Sequence, residues 1–332
     1  MDARLVNEIP RGTGWQYEPK WDSFRCLVFR DGHQIDLQSK AGQPLTRYFP
    51  ELVAAFAALG ANQFVLDGEI AVPVGGRFSF DDLLQRIHPA QSRVERLSRE
   101  YPAIFVAFDL LAGPDGKSRL EQPLQERRKA LEAFVGKFFR ASPQLRLSPA
   151  TTKLDLAEKW FESVGVDLDG IVAKRLDAPY ASGERTAMEK IKLTRTADCV
   201  VGGFRYASKQ PVVGSLLLGL YDDEGLLHHV GFCSGLSASE RKKLVPKLKA
   251  LILPPGFTGR APGGPSRWST ERSTEWQPLK PELVVEVSFD HFSGDRFRHG
   301  TKLIRWRPDK RPDQCRMEQV APTGQGSLAL LA

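Results

Sequence analysis

Lys20 lies in YEPKWDSFR (residues 17–25), between the acids Glu18 and Asp22 and among Tyr17, Trp21 and Phe24, with Arg25 following. Most lysines are solvated surface charges. A lysine amine is also a nucleophile wherever its surroundings favour the neutral form. Lys190 and Lys192 stand two residues apart in MEKIK, so on a strand both point to one face. Glu69 in LDGEIAV and Asp169 in DGIVAK supply hard oxygen ligands suited to a divalent cation such as Mg2+ or Mn2+. Phe108 in AFDLL offers a flat aromatic face. A candidate nucleophilic amine, two further cations, two acids and a ring together suit attack on a nucleotide phosphate. Nearby positive charge would favour the neutral amine of Lys20.

Taken one at a time, these signals are weak. K-x-D recurs by chance, DGE is most often a turn, and FDLL reads as core with one awkward acid. Their setting carries more. Apolar, strand-like segments normally bury no charge, yet five of them here carry charged groups.

Such groups need rigid elements to hold them. FRCLVFRDGHQIDLQSK reads as two strands around the turn residues Asp31-Gly32. RYFPELVAAFAALG has apolar residues at helical spacing and stops at Gly60. QFVLDGEIAV is a strand with polar residues embedded, FSFDDLLQRI a helix, and AIFVAFDLLA a buried strand. PLQERRKALEAFV and LDLAEKWFESVGV are amphipathic helices, whereas DGIVAKRL and MEKIKLT are strands. The pattern is α+β, with antiparallel hairpins rather than a strict βαβ alternation. From Thr194 onward, DCVVGGFRYA, SLLLGLYDDEGLLHHVGF, ELVVEVSFDHF and TKLIRWR are short strands interrupted by one helix, SASERKKLVPKLKAL. That helix opens with a capping-box pattern from Ser237 to Glu240. Short strands with one helix predict a small barrel of the OB type. PPGFTGRAPGGPSRWST between them is a Pro/Gly-rich loop.

At 332 residues the chain has room for about two domains. The four cysteines, Cys26, Cys199, Cys233 and Cys315, form no CxxC, which points away from a zinc module or a disulfide framework. No apolar run approaches the ~20 residues of a membrane span, and MDARLVNEIPRGTG lacks a signal peptide's apolar core; a cytoplasmic location is expected. The net charge of +7 fits a polyanionic partner without requiring one.

In order along the chain, KWDSFR, SKAG, LDGEIAV, AFDLL, DGIVAK, MEKIK and RWRPDK resemble the signatures of the covalent nucleotidyltransferases, and within them the ATP-dependent DNA ligases. The match is most similar to the small bacterial stand-alone ligases of the LigC type and to the ligase module of LigD. The resemblance implies a nucleotidyltransferase (adenylation) domain over 1–194 and an OB-fold domain over 195–332. It implies ATP as cosubstrate, Mg2+ or Mn2+, and nicked duplex DNA. Lys20 would take AMP from ATP, the AMP would pass to a 5′-phosphate, and a 3′-hydroxyl would then displace it. By the family pattern Glu69 binds the ribose, Phe108 stacks on adenine with Glu18 beside it, and Arg25 and Lys40 contact ribose or phosphate. Glu69 and Asp169 would hold the metal, and Lys190 and Lys192 would neutralise the α-phosphate. Arg307 and Lys310 would orient pyrophosphate. DNA repair is the implied setting, with a repair polymerase as candidate partner, no membrane, and a monomeric state.

Three positions depart from the family pattern: Ser23 for a usual glycine, Asp169 for a usual glutamate, and Lys40 for a common arginine. The 19 residues before Lys20 leave no room for the helical DNA-binding domain of larger ligases, so a minimal two-domain ligase is expected. The rivals are an RNA ligase or mRNA-capping guanylyltransferase of the same superfamily, and a non-catalytic OB-fold nucleic-acid-binding protein. RWRPDK favours a DNA ligase over the first, and intact Lys20, Glu69, Lys190 and Lys192 argue against the second. His228-His229 reads as structural or exposed rather than metal-binding. Trp268 and Trp276, beside Arg267 and Arg272, either stack on nucleic acid or pack on a core, the commoner outcome. ERKKLVPKLK reads as a solvated helix face.

Overall fold

From the N-terminus the chain forms β1 (Arg4–Val6), β2 (Trp15–Trp21), β3 (Phe24–Asp31), β4 (Gln34–Ser39), α1 (Pro50–Ala57), β5 (Gln63–Ala71), β6 (Pro73–Val74), β7 (Arg77–Phe78), α2 (Phe80–Gln85), α3 (Gln91–Glu100), β8 (Ile104–Ala112), α4 (Leu124–Phe138), β9 (Leu145–Leu147), α5 (Leu154–Ser163), β10 (Leu168–Arg175) and β11 (Met188–Lys192). It continues with β12 (Arg195–Tyr206), β13 (Val213–Tyr221), β14 (Leu227–Cys233), α6 (Ala238–Lys249), β15 (Gln277–Pro278), β16 (Val284–Phe289), β17 (Phe292–Ser293), β18 (Arg296–Phe297) and β19 (Lys302–Trp306). This computed structural model describes residues 1–163, 168–208, 210–263, 275–321 and 326–331.

Local chemistry explains the punctuation. β3 and β4 close as a hairpin through Gly32-His33, with Asp31 opposite Gln34 and Gly32 at φ 59°, so the turn sits one residue later than the sequence suggests. Pro50 opens α1, where its missing N–H costs nothing. Ser79 caps α2 by accepting from the Asp82 N–H at 3.2 Å, and the Ser237–Glu240 capping box of α6 is present as expected. α3 was not foreseen. Its N-cap, Ala90, makes no side-chain bond, and it buries only Val94 and Leu97 in an otherwise polar stretch.

The chain divides into two compact units, Met1–Leu193 with Thr323–Ala332, and Thr194–Pro322. In the first, a five-stranded sheet runs β4-β3-β5-β8-β9 and a four-stranded sheet runs β1-β11-β10-β2. All neighbours are antiparallel except β1 with β11 and β8 with β9. Phe56 of α1, Phe64, Phe105 and Phe134 of α4 form an aromatic chain on the five-stranded sheet, with centroids 5.2–6.1 Å apart. Tyr17, Ile171 and Ala173 of the four-stranded sheet pack on Ala157 and Trp160 of α5. That burial uses one face of β2 and β10 and turns their other residues the opposite way.

The second unit is a sheet in the order β14-β13-β12-β16-β19, with β15 also on β12. A bridge from Cys233 to Thr301 links the end of β14 to the start of β19, curling the sheet into the small barrel expected. Ser327–Leu331 packs Leu328 and Leu330 with Trp21, Phe78 and Leu168, so this last turn belongs to the first unit and not to the 195–332 segment where the sequence places it. Apolar burial decides that placement, since the leucines complete a hydrophobic cluster there. All four cysteines are free and buried. Among the described residues no helix is long and apolar enough to cross a membrane.

Candidate active site

The four-stranded sheet builds the site row by row. Lys20, Gly170 and Lys192 lie side by side across β2, β10 and β11, and the next row along is Glu18, Val172 and Lys190. The third row is Gln16, Lys174 and Met188. Directly opposed residues share a face, so Lys20, Lys190 and Lys192 stand together on the face away from α5. At Asp169 the register shifts: two residues of β10 oppose one of β2, a bulge that turns Asp169 towards Lys20. Lys20 Nζ and Asp169 Oδ2 form an ion pair, and Lys192 Nζ lies 3.8 Å from Asp169 Oδ1. Asp169 thus sets a negative charge directly on Lys20. Burial, then the charges of Lys20, Lys192 and Lys40, hold the Lys190 amine below its ordinary value, with Asp169 opposing. Gly170 cannot be replaced freely. It sits at φ +136°, and a Cβ there would come 1.8 Å from the Ile191 carbonyl oxygen.

Glu18 is 3% exposed and fully engaged: Gln16 Nε2 donates to one oxygen and Lys174 Nζ to the other, each at 2.7 Å. The Lys174 ammonium also lies 4.4 Å from the centroid of the Phe108 ring, a cation–π contact. Phe108 is itself a bulge residue, the extra position of β8 between the pairs Asp67–Asp109 and Gly68–Ala107.

On the five-stranded sheet, Arg25 of β3 faces Glu69 of β5 directly. Its guanidinium makes a bidentate pair with Asp67 at 3.1 and 2.7 Å, and donates to the Met1 carbonyl at 2.6 Å and the Tyr180 hydroxyl at 3.1 Å. Tyr180 in turn donates to Asp67 at 2.7 Å. Asp109, across the ladder from Asp67, is held by Arg127 through bonds of 2.9 and 3.0 Å. Two buried acids side by side are tolerated because each has its own arginine. Loss of hydration pushes the Glu69 carboxyl up to about 7, against a 2.8 Å bond from Ser23 and the charges of Lys20 and Arg25.

Lys40 is the most exposed of the expected site residues in this unit and pairs with Asp2 at 2.6 Å. In the second unit, Arg307 binds Asp198 at 2.9 Å and Asp309 at 2.9 Å, and Lys310 binds the same Asp198 at 2.7 Å. The Asp309 carboxyl is pulled down to about 2, chiefly by its hydrogen bond from Arg307. His228 pairs with Asp222, and His229 lies edge-on to Phe257 with centroids 5.4 Å apart. Among the described residues no cluster of three or more metal-ligating side chains includes either histidine. Trp276 packs on Phe257 in the barrel core, while Arg267, Trp268 and Arg272 lie outside the described residues.

Sequence reasoning missed Gln16, Asp67, Arg127, Lys174 and Tyr180. Period-two spacing from Glu18 and Gly170 was available to find Gln16 and Lys174, whereas Arg127 and Tyr180 arrive from distant segments with no local mark.

An amine beside two further lysines and a carboxylate on one face of a mostly antiparallel sheet, with a small barrel following in the chain, fits a covalent nucleotidyltransferase. The chain belongs to the ATP-dependent DNA ligases: the ATP dependent DNA ligase domain matches residues 3–192 and the ATP dependent DNA ligase C terminal region matches residues 209–310. ATP is the family's cosubstrate. DNA ligase C2 of Mycolicibacterium smegmatis is 44% identical, over 96% of this chain and 93% of its own. DNA ligase C of Mycobacterium tuberculosis is 43% identical, over 96% and 92%. The multifunctional non-homologous end joining protein LigD of M. smegmatis is 31% identical over 90% of this chain, which spans 37% of that longer protein. The RNA-ligase, capping and non-catalytic readings give way to membership of this family.

Proposed function

We propose that this chain joins a 5′-phosphate to a 3′-hydroxyl in duplex DNA, with Lys20 carrying the AMP. The observation that carries the reading is the convergence of Lys20, Lys190 and Lys192 on one sheet face beside Asp169. Lys20 Nζ attacks the α-phosphorus of ATP; the P–N bond forms as the P–O bond to pyrophosphate breaks, and the amine gives up a proton. That proton passes to water, while Asp169 holds Nζ in place at the sheet face. Lys190 and Lys192 stabilise the charge that builds on the α-phosphate oxygens. A DNA 5′-phosphate oxygen then attacks the AMP phosphorus, and the P–N bond breaks as the nitrogen takes up a proton from water, which restores the amine. Finally the 3′-hydroxyl attacks the 5′-phosphorus, its proton is lost, and AMP leaves.

Phe108 stacks on adenine with Glu18 beside it, Glu69 binds the ribose, and Arg25 and Lys40 contact ribose or phosphate. Arg307 and Lys310 orient pyrophosphate, exchanging Asp198 and Asp309 for phosphate oxygens. Glu69 and Asp169 would hold Mg2+ or Mn2+. Both act on Lys20, and no third metal-ligating side chain joins them in a cluster among the described residues. Such a donor set suits a hard ion that keeps several waters and shares the phosphates. The ion would supply charge neutralisation at the phosphate oxygens. The name of the end-joining relative supports a role in DNA repair; a repair polymerase as partner, a monomeric state and a cytoplasmic location complete the proposal.

Incubation with α-labelled ATP and Mg2+ tests the reading. The protein is expected to acquire acid-labile, lysine-linked label, and Lys20→Ala is expected to acquire none; a labelled Lys20→Ala protein would end it.

A further inference from the structure

We infer that Ser23 is a positioning residue, holding the Glu69 carboxylate ready for a hydroxyl of the nucleotide's ribose. The inference rests on the reading of Glu69 as the ribose-binding acid and adds a second residue to it. Asp22 and Ser23 form the two-residue link between β2, which carries Lys20, and β3, which carries Arg25. Strands flank that link on both sides, which holds the Ser23 Cα next to β3. From there its hydroxyl donates to Glu69 Oε2 at 2.8 Å.

Glycine, the usual residue of the related motif, has no hydroxyl and could not make this bond. Nor does the backbone require glycine: among the described residues Asp295 is the one non-glycine with positive φ, so serine sits here without strain. Glu69 is anchored through its backbone, opposite Arg25 on one side and Val106 on the other. Its three side-chain torsions would otherwise be loose. Pinning Oε2 orients the carboxylate before the ligand arrives, lowers the ordering cost of binding, and leaves Oε1 to accept from a ribose hydroxyl. Arg25 directs its own donors to Asp67, Met1 and Tyr180.

The test measures binding rather than turnover, in a Lys20→Ala background that cannot be adenylated. Dissociation constants for ATP, 2′-deoxy-ATP and 3′-deoxy-ATP with Mg2+ are determined by calorimetry for that background and for its Ser23→Ala, Ser23→Thr and Glu69→Ala derivatives. Ser23→Ala is expected to weaken ATP about tenfold, as for a lost hydrogen bond to a charged group. It should weaken the analogue lacking the recognised hydroxyl far less, so the preference for ATP narrows. Ser23→Thr, which keeps a hydroxyl, should retain that preference. Equal weakening of ATP and both analogues by Ser23→Ala would overturn the inference, as would an intact preference in Ser23→Ala when Glu69→Ala has abolished it. An intact preference in Glu69→Ala would instead remove the ribose reading of Glu69 itself.

Discussion

At the scale of single residues, the same physics of burial acts on groups that carry chemistry and on groups that do not. Lys190 is pushed down by burial and by its lysine neighbours inside the candidate site. His229, in the barrel, is pushed down to about 4 by burial, then by Arg205 and Arg260, and among the described residues its Nε2 is buried without a partner. An unfolded chain protonates this imidazole near 6.5, while the folded chain resists until about pH 4. The unfolded state therefore binds more protons across that window, and stability present above about 6.5 is lost as pH falls through it. His229→Phe, beside Phe257, removes the titration while keeping a ring. Its melting temperature is expected to fall less steeply than the parent's between pH 6.5 and 4, and parallel curves would refute the assignment. Lys20, Lys190 and Lys192 were legible because each stands in a short motif on a strand whose alternation assigns its face. Lys174 was in view within DGIVAK, but nothing local showed that it would bridge Glu18 and Phe108.

Among the elements, two bulges do the aiming. Phe108 in β8 and Asp169 in β10 each occupy the extra position of an irregular ladder, and both are expected to act at the nucleotide. The β10 bulge depends on the glycine that follows it, since a Cβ at Gly170 would meet the Ile191 backbone of β11. Gly170→Ala is therefore expected to destabilise the protein by about 2–4 kcal/mol, combining strain at positive φ with a backbone clash. Self-adenylation should fall by a larger factor than the unfolded fraction alone explains, because Asp169 loses the bulge that aims it and Lys192 loses its row. Denaturant unfolding alongside labelled-ATP incubation checks both, and a stable, fully active Gly170→Ala would show that the bulge is dispensable. The long strands and helices were readable from their periods; α3 and the bulges were not, because a helix with only two buried residues and a register shift leave little apolar signal in the sequence.

For the molecule as a whole, the reaction sequence separates functions that the sequence lists side by side. Expelling pyrophosphate needs cations aimed at the β- and γ-phosphates, and the later steps, with AMP alone, do not. Arg307→Ala or Lys310→Ala is expected to lower self-adenylation roughly 10²-fold while sparing the sealing of a nick that already carries 5′-AMP. Equal losses in the two assays would show that these residues serve DNA binding instead. Asp198 draws both cations to one buried carboxylate in the second unit, so each loss should be partly a loss of that local pairing.

The sequence by itself determined the order of the motifs, the α+β character and the faces on which the charged side chains stand. These are local properties: alternation with period two, caps, and turn residues act over a few positions. Only the tertiary structure decided that Lys20 meets an acid 149 residues away, that Phe108 and Asp169 ride on bulges, and that Leu328 and Leu330 return to the first unit. Those outcomes depend on which strands pair and in what register. Register is set by the summed hydrogen bonding and burial of whole sheets, a quantity that no short stretch of chain contains.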